Sequence, residues 1–210
     1  MKKLNAKGFT LIELLAVITI MGILMMVAIP TVSRTIENSR KDTFIDTVGQ
    51  YVNGVKNMWA ADSLECKVTE GGVQVPYVSS AVPNGFYYIE INTAATSGVP
   101  VLLEQGGKSP WGSRHIAGNI LIEVKEVDGT RKVIYYPTLV DGIHGINVKS
   151  DGAPKAYGSD LEANNDLTRG DIVMTGATYD KVTNSATIAA GSTVTAPTVT
   201  GKTVYVCEEI

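Results

Sequence analysis

KGFTLIE, Lys7 to Glu13, opens a run that continues as LLAVITIMGILMMVAIP to Pro30, and the rest of the chain has to be read outward from it. Between Phe9 and Ile29 the only charge is Glu13, and the only other interruptions are Thr10, Thr19 and Gly22. These 21 residues, at ~1.5 Å of rise each, make a helix of about 31 Å, close to the hydrocarbon thickness of a bilayer. Lys2, Lys3 and Lys7 stand before the run, so the positive-inside rule puts the N-terminus in the cytoplasm and the body of the chain outside.

Three ordinary readings compete for such a segment. A cleaved signal peptide has an apolar core of about 7 to 15 residues and ends in a small-x-small site; this run is longer, and Met26-Val27-Ala28 is no such site. A lipoprotein needs a cysteine after the run, and none is there. A plain membrane anchor explains everything except Glu13. A carboxylate in an apolar span is costly, so it usually has a partner and a purpose.

Taken together, these residues resemble the N-terminus of type IV prepilins, in the pilin and pseudopilin superfamily. The resemblance implies cleavage between Gly8 and Phe9 on the cytoplasmic side by a prepilin peptidase and methyltransferase, with N-methylation of the new terminal Phe9. It further implies that Glu13, fifth residue of the mature chain, pairs with the Phe9 amine of a neighbouring subunit in filament assembly and so sets axial register. Gly22 and Pro30 sit where pilin helices bend; proline removes a helical hydrogen bond and glycine lowers helix propensity. The match covers residues 7 to 30, and beyond Pro30 the likeness is one of architecture.

After Pro30, apolar residues recur at Val32, Ile36, Phe44, Val48, Tyr51, Val55, Met58 and Trp59, mostly three or four apart, with Arg34, Glu37, Arg40, Lys41, Asp46 and Lys56 between them. That is one face of an amphipathic helix. Joined to the first half it makes a helix of some 50 residues, from Phe9 to near Ala60, whose front half is insoluble alone and needs a membrane or a bundle of its own kind. From Cys66 onward the pattern turns to short β-rich runs. NILIEVKEV and RKVIYY flank Asp128-Gly129 between Asn119 and Tyr136, a strong hairpin signal; Phe86–Ile91 and Val99–Leu103 are further strands. The Thr/Ala-rich stretch from Ile172 to Cys207 reads equally as solvent-facing strands or an extended surface loop, and ends in the strand-like TVYVC.

Composition narrows the function classes. With 44% hydrophobic and 19% charged residues the chain is that of a folded protein, and a net charge of -3 without a Lys/Arg cluster beyond the N-terminus gives no nucleic-acid face. Cys66 and Cys207 have no metal-ligand spacing around them. If the body is exported, as the N-terminus suggests, they are read as one disulfide, which in the chain-entropy model adds roughly 3 to 5 kcal/mol; the alternative is two free buried thiols.

Motifs for chemistry are few. Asp160, Glu162, Asn164, Asp166 and Asp171 are spaced loosely like a calcium loop, but Asn165 stands where that loop needs glycine and the twelfth position is Asp171, so a solvated acidic loop is the ordinary reading and no metal is assigned. Arg169-Gly170-Asp171 is a tripeptide common by chance. His115 and His144 have no catalytic neighbours in sequence and are read as structural or exposed. No nucleophile elbow, phosphate loop or zinc helix is present, so no enzyme and no cofactor is implied.

The expected fold is therefore α+β, a pilin fold with a long N-terminal helix packed against an antiparallel sheet. Its expected organisation is a leader over 1–8, an apolar transmembrane and assembly half-helix over 9–30, an amphipathic half-helix over 31–62 and a β-rich head over 63–210. The resemblance implies a homopolymeric type IV pilus serving adhesion, motility, aggregation or DNA uptake, built by assembly machinery in the inner or cytoplasmic membrane. The precursor would lie in the cytoplasmic membrane, N-terminus in and C-terminus out, and the assembled filament would be extracellular. Two alternatives stand beside it: a pseudopilin of a type II secretion or competence system, and a membrane-anchored exported binding protein.

Overall fold

A computed structural model describes residues 9–92, 116–141, 143–146, 156–157, 166–174 and 197–210. The chain divides into two compact units, one ending at Arg40 and the other spanning Lys41–Ile210. One helix, α1 (Leu11–Ala60), runs unbroken through Gly22 and Pro30. In the first unit its apolar side chains are exposed. In the second, the stripe Phe44, Val48, Tyr51, Val52, Val55 and Trp59 is buried.

The helix ends in two interlocked bonds: the Ser63 N–H donates to Met58 O at 3.0 Å and the Asp62 N–H to Trp59 O at 3.3 Å, with Asp62 in the left-handed region at φ 52°. This is the Schellman closure, made here by aspartate where glycine is commonest.

Eight strands follow among the described residues: β1 (Leu64–Glu70), β2 (Val73–Val78), β3 (Gly85–Asn92), β4 (Ala117–Val127), β5 (Thr130–Val140), β6 (His144–Ile146), β7 (Ile172–Met174) and β8 (Val204–Glu209). They form one sheet in the order β2-β1-β8-β3-β4-β5-β6-β7. The hairpin expected around Asp128-Gly129 is β4–β5; both turn residues have positive φ, 52° and 71°, as a two-residue hairpin turn requires. Its strands extend a few residues beyond the expected Asn119–Tyr136. The expected strand Phe86–Ile91 is β3, whereas Val99–Leu103 lies outside the described residues.

One pairing departs from the expected antiparallel sheet. The last strand, β8, lies between β1 and β3: Cys207 to Glu209 pair antiparallel with Cys66 to Leu64, while Val204 to Val206 pair parallel with Phe86 to Tyr88. Hairpin strands must be antiparallel, but a strand arriving through a long connection is free to pair either way.

Period-two alternation sorts the sheet's side chains. Tyr87, Ile89 and Ile91 of β3, Ile120, Ile122 and Val124 of β4, and Tyr135 and Leu139 of β5 form one core with the buried helix stripe. Their alternating neighbours Phe86, Tyr88, Leu121, Ile134 and Tyr136 form a smaller cluster with Ala156, Val199 and Val204. β2 is one edge of the sheet, largely exposed, and it carries Pro76, a residue that central strands exclude.

Candidate functional site

The apolar half of α1 begins with a reciprocal cap. Thr10 donates to Glu13 Oε2 from both its backbone nitrogen and its hydroxyl, each at 2.8 Å, and the Glu13 N–H points back to Thr10 Oγ1 at 3.4 Å. This is the capping box that a Thr-x-x-Glu spacing makes at a helix start, satisfying end donors that no turn of helix can serve. Sequence reasoning had singled out Glu13 and missed this role of Thr10. The signal was present in the spacing itself.

From that cap to Ile36, the side chains carry the opposite of a soluble helix's pattern. Phe9, Leu11, Ile12, Leu24, Met26 and Val27 are each 64% exposed or more, and Val32 and Ile36, which share the spacing of the buried stripe, are also exposed. The helix is long and apolar enough to cross a membrane. Its hydroxyls fit that setting: Thr19 donates to Ala16 O at 2.8 Å, Thr31 to Val27 O at 3.1 Å and Thr35 to Thr31 O at 3.0 Å, so none of the three needs water. Gly22 has open space around it. Gly8 lies outside the described residues.

In the second unit, Cys66 and Cys207 are joined by a disulfide across directly opposed positions of β1 and β8, closing a separation of 141 residues. Both half-cystines are buried. Beside the bond Glu65 faces Glu208 in the ladder, and Lys67 Nζ sits 2.6 Å from Glu208 Oε2, relieving that like-charge pair. The staple falls on the strand that connects the β1–β2 hairpin to the rest of the sheet.

Both charges of Arg169-Gly170-Asp171 have a structural use. Arg169 forks onto Asp42 of the helix, Nε to Oδ1 at 2.6 Å and Nη2 to Oδ2, and Asp171 Oδ2 accepts the Thr168 N–H at 2.9 Å and hydroxyl at 2.7 Å. The pairing with Arg169 holds the Asp42 carboxyl below its usual range. Of the calcium-spaced residues, Asp160, Glu162 and Asn164 lie outside the described residues; Asp166 accepts the Leu167 N–H at 3.1 Å, and no cluster of three metal-ligating side chains occurs among the described residues.

His144 is buried. Its Nδ1 lies 3.1 Å from Asp141 Oδ2, while Asp141 Oδ1 accepts the N–H groups of Ile143 and His144 at 2.8 and 2.6 Å, and the ring stacks on Phe44 at 5.5 Å. The pair joins β6 to the helix. His115 lies outside the described residues.

A model of the prokaryotic N-terminal methylation motif matches residues 3–29. Over those residues the chain carries a type IV prepilin-like N-terminus. No curated protein and no solved structure matches the chain.

Proposed function

We propose that this chain is the structural subunit of a type IV pilus. Residues 1–8 are a leader removed after Gly8, Phe9 becomes the N-methylated terminus, residues 9–30 are the transmembrane and assembly half-helix, 31–62 the amphipathic half and 63–210 the head. The precursor sits with its N-terminus inside and its body outside, and then enters an extracellular filament made of copies of itself. Gly22 and Pro30 are the places where the helix yields on packing. The Glu13 carboxylate meets the Phe9 amine of a neighbouring copy.

The observation that carries this reading is the exposure of the apolar half-helix at the segment that the methylation motif marks. A run of 21 residues, nearly all apolar and bare to solvent, is stable only in lipid or among copies of the same helix, and a filament provides the second after the first. Mass spectrometry of the mature N-terminus, run beside a sheared surface-fibre fraction, tests it. A chain that begins at N-methylated Phe9 and is abundant in fibres supports the pilus subunit. One that begins at Phe9 but stays with the membrane indicates a pseudopilin or a minor pilin, and one that keeps Met1 or is cut near Ala28 overturns the reading.

A further inference from the structure

Gly71 and Gly72 join β1 to β2 as a two-residue turn with φ 58° and 86°, and Glu70 pairs with Val73 across it. In such a hairpin the pair flanking the turn exchanges both main-chain hydrogen bonds, and every second pair after it does the same. Val73, Val75 and Tyr77 therefore bond inward to β1, and the Ser79 N–H, next in that series, donates to Leu64 O at 3.2 Å. The main-chain groups of Gln74, Pro76 and Val78 point the other way, in the plane of the sheet and away from β1. β2 is six residues long, with Val73 and Val78 exposed, whereas β7 at the opposite end of the strand order has three residues. An exposed edge of that length is a template for a further strand. Its middle outward position is held by a proline, which has no N–H to give.

We infer that Pro76 keeps the β2 edge closed to the β2 edge of a second copy of this chain. Identical edges pair antiparallel about a two-fold axis, so the outward residues of one copy face the outward residues of the other. Centred on Pro76, such a ladder sets Pro76 against Pro76 and loses both bonds of its middle pair. In the next register on either side, Pro76 meets Gln74 or Val78, and each of the two pairs formed loses one of its bonds. Beyond that only a single pair is left. No register that joins more than one outward residue of each copy escapes the proline, and at an inward position the same residue would have broken the β1–β2 ladder instead. Copies brought together through their apolar half-helices, in a membrane or in a filament, meet at high local concentration, where open edges join most readily. The inference therefore does not depend on the pilus reading.

P76T and P76V each return the missing donor, one with a polar side chain and one with an apolar one, and both suit a strand. The full-length parent and variants are purified in detergent without reductant, so that the Cys66–Cys207 bond stays closed. They are then compared at rising concentration by sedimentation and by amide hydrogen exchange over residues 73–78. The parent is expected to keep open amides at Gln74 and Val78 at every concentration. Both variants are expected to associate further than the parent, with exchange at those two amides slowed at least about tenfold. The inference is overturned if neither variant associates beyond the parent, or if the added protection falls elsewhere in the chain. It is overturned equally if only one of them associates, which would trace the association to that side chain and not to the N–H. Variants that lose the parent's near-ultraviolet dichroism also overturn it, because Pro76 would then serve its own strand rather than the edge. Fibres on cells, present or absent, bear on the pilus reading alone.

Discussion

The carboxylate of Asp62 accepts the backbone N–H of Ser80 at 2.7 Å, so the residue that closes the long helix also holds the loop between β2 and β3. The same carboxylate accepts the Ser80 hydroxyl at 2.8 Å, while the Ser79 hydroxyl donates to Trp59 O at 2.7 Å and Arg131 reaches from β5 to Ser79 O at 3.1 Å. Helix end, loop and hairpin meet at one acid.

Acid should loosen this clasp. The Ser80 N–H, then the Ser80 and Ser79 hydroxyls, hold the Asp62 carboxyl below its usual range. A depressed folded-state value contributes stability above the unfolded value of about 3.9, and that stability is lost as pH falls through the lower folded value. Asp42, lowered by Arg169, acts in the same direction. Thermal unfolding of the detergent-solubilised chain should be flat from about pH 7 to 5 and fall below about pH 4, and Asp62→Asn should start lower at neutral pH with a shallower acid fall. An unchanged acid slope in that variant would show that the clasp makes no contribution through its charge.

Alkali should act through buried phenols. Burial pushes Tyr87 and Tyr135 up to about 12 and raises Tyr51 further still. Their neutral forms are favoured in the fold, so the stability they contribute is complete below the unfolded value of about 10 and is lost as pH rises from there towards the folded values. Ultraviolet titration should show the exposed tyrosines ionising first, with these three appearing only with loss of the near-ultraviolet dichroism, above about pH 11. Ionisation of all the tyrosines near pH 10 with the fold intact would contradict this burial.

Two glycines mark close approaches. At Gly118 of β4 the backbone has φ +142°, and a Cβ would stand 2.0 Å from the carbonyl oxygen of Thr138, a main-chain atom that cannot step aside. At Gly49 of α1 a Cβ would stand 2.0 Å from the hydroxyl of Tyr157, the far end of a side chain that can. Gly118→Ala should therefore destabilise by about 3 kcal/mol or more and Gly49→Ala by about 1 to 2, read as denaturant midpoints at constant slope. Equal losses would place the two contacts on the same footing.

Local signals explain which features could be read from sequence. The helix, the Asp128-Gly129 hairpin and the strand around Phe86–Ile91 each declare themselves within a dozen residues through periodicity or turn chemistry. The Thr10–Glu13 cap is equally local, carried by the Thr-x-x-Glu spacing alone. What stayed hidden depends on distance along the chain. β8 finds its place between β1 and β3 from the far end of the sequence, and Arg169 meets Asp42 across 127 residues. Periodicity also says which helical face is apolar and not what covers it. Val32, Ile36, Phe44 and Val48 fall in one stripe, yet only the last two are buried.

The disulfide should matter more than an ordinary surface staple because of where it lies. It closes a 141-residue separation, and in the chain-entropy model so long a loop is worth about 5 kcal/mol, with observed losses commonly about 2 to 5. β8 holds β1 on one side and β3 on the other, so freeing it parts the sheet at that point. Cys66→Ser with Cys207→Ser, or reduction of the parent chain, should lower the urea midpoint substantially and to the same value. A reduced chain as stable as the oxidised one would show that β8 is held by its ladder alone.

The cap that Glu13 makes within its own helix has to be separated from the pairing with a neighbouring copy proposed for its charge. Glu13→Gln keeps an oxygen for the Thr10 N–H and removes the charge, whereas Thr10→Ala removes the hydroxyl partner and keeps the carboxylate. If the charge sets assembly, Glu13→Gln reaches the membrane at the parent's level but yields at least about tenfold less sheared fibre, and Thr10→Ala loses much less. If the cap alone mattered, the order would reverse, with Glu13→Gln nearly unaffected. Immunoblots of membrane and sheared fractions from the same cells measure both quantities, and parent-level fibre from Glu13→Gln would remove the carboxylate's charge from the assembly step.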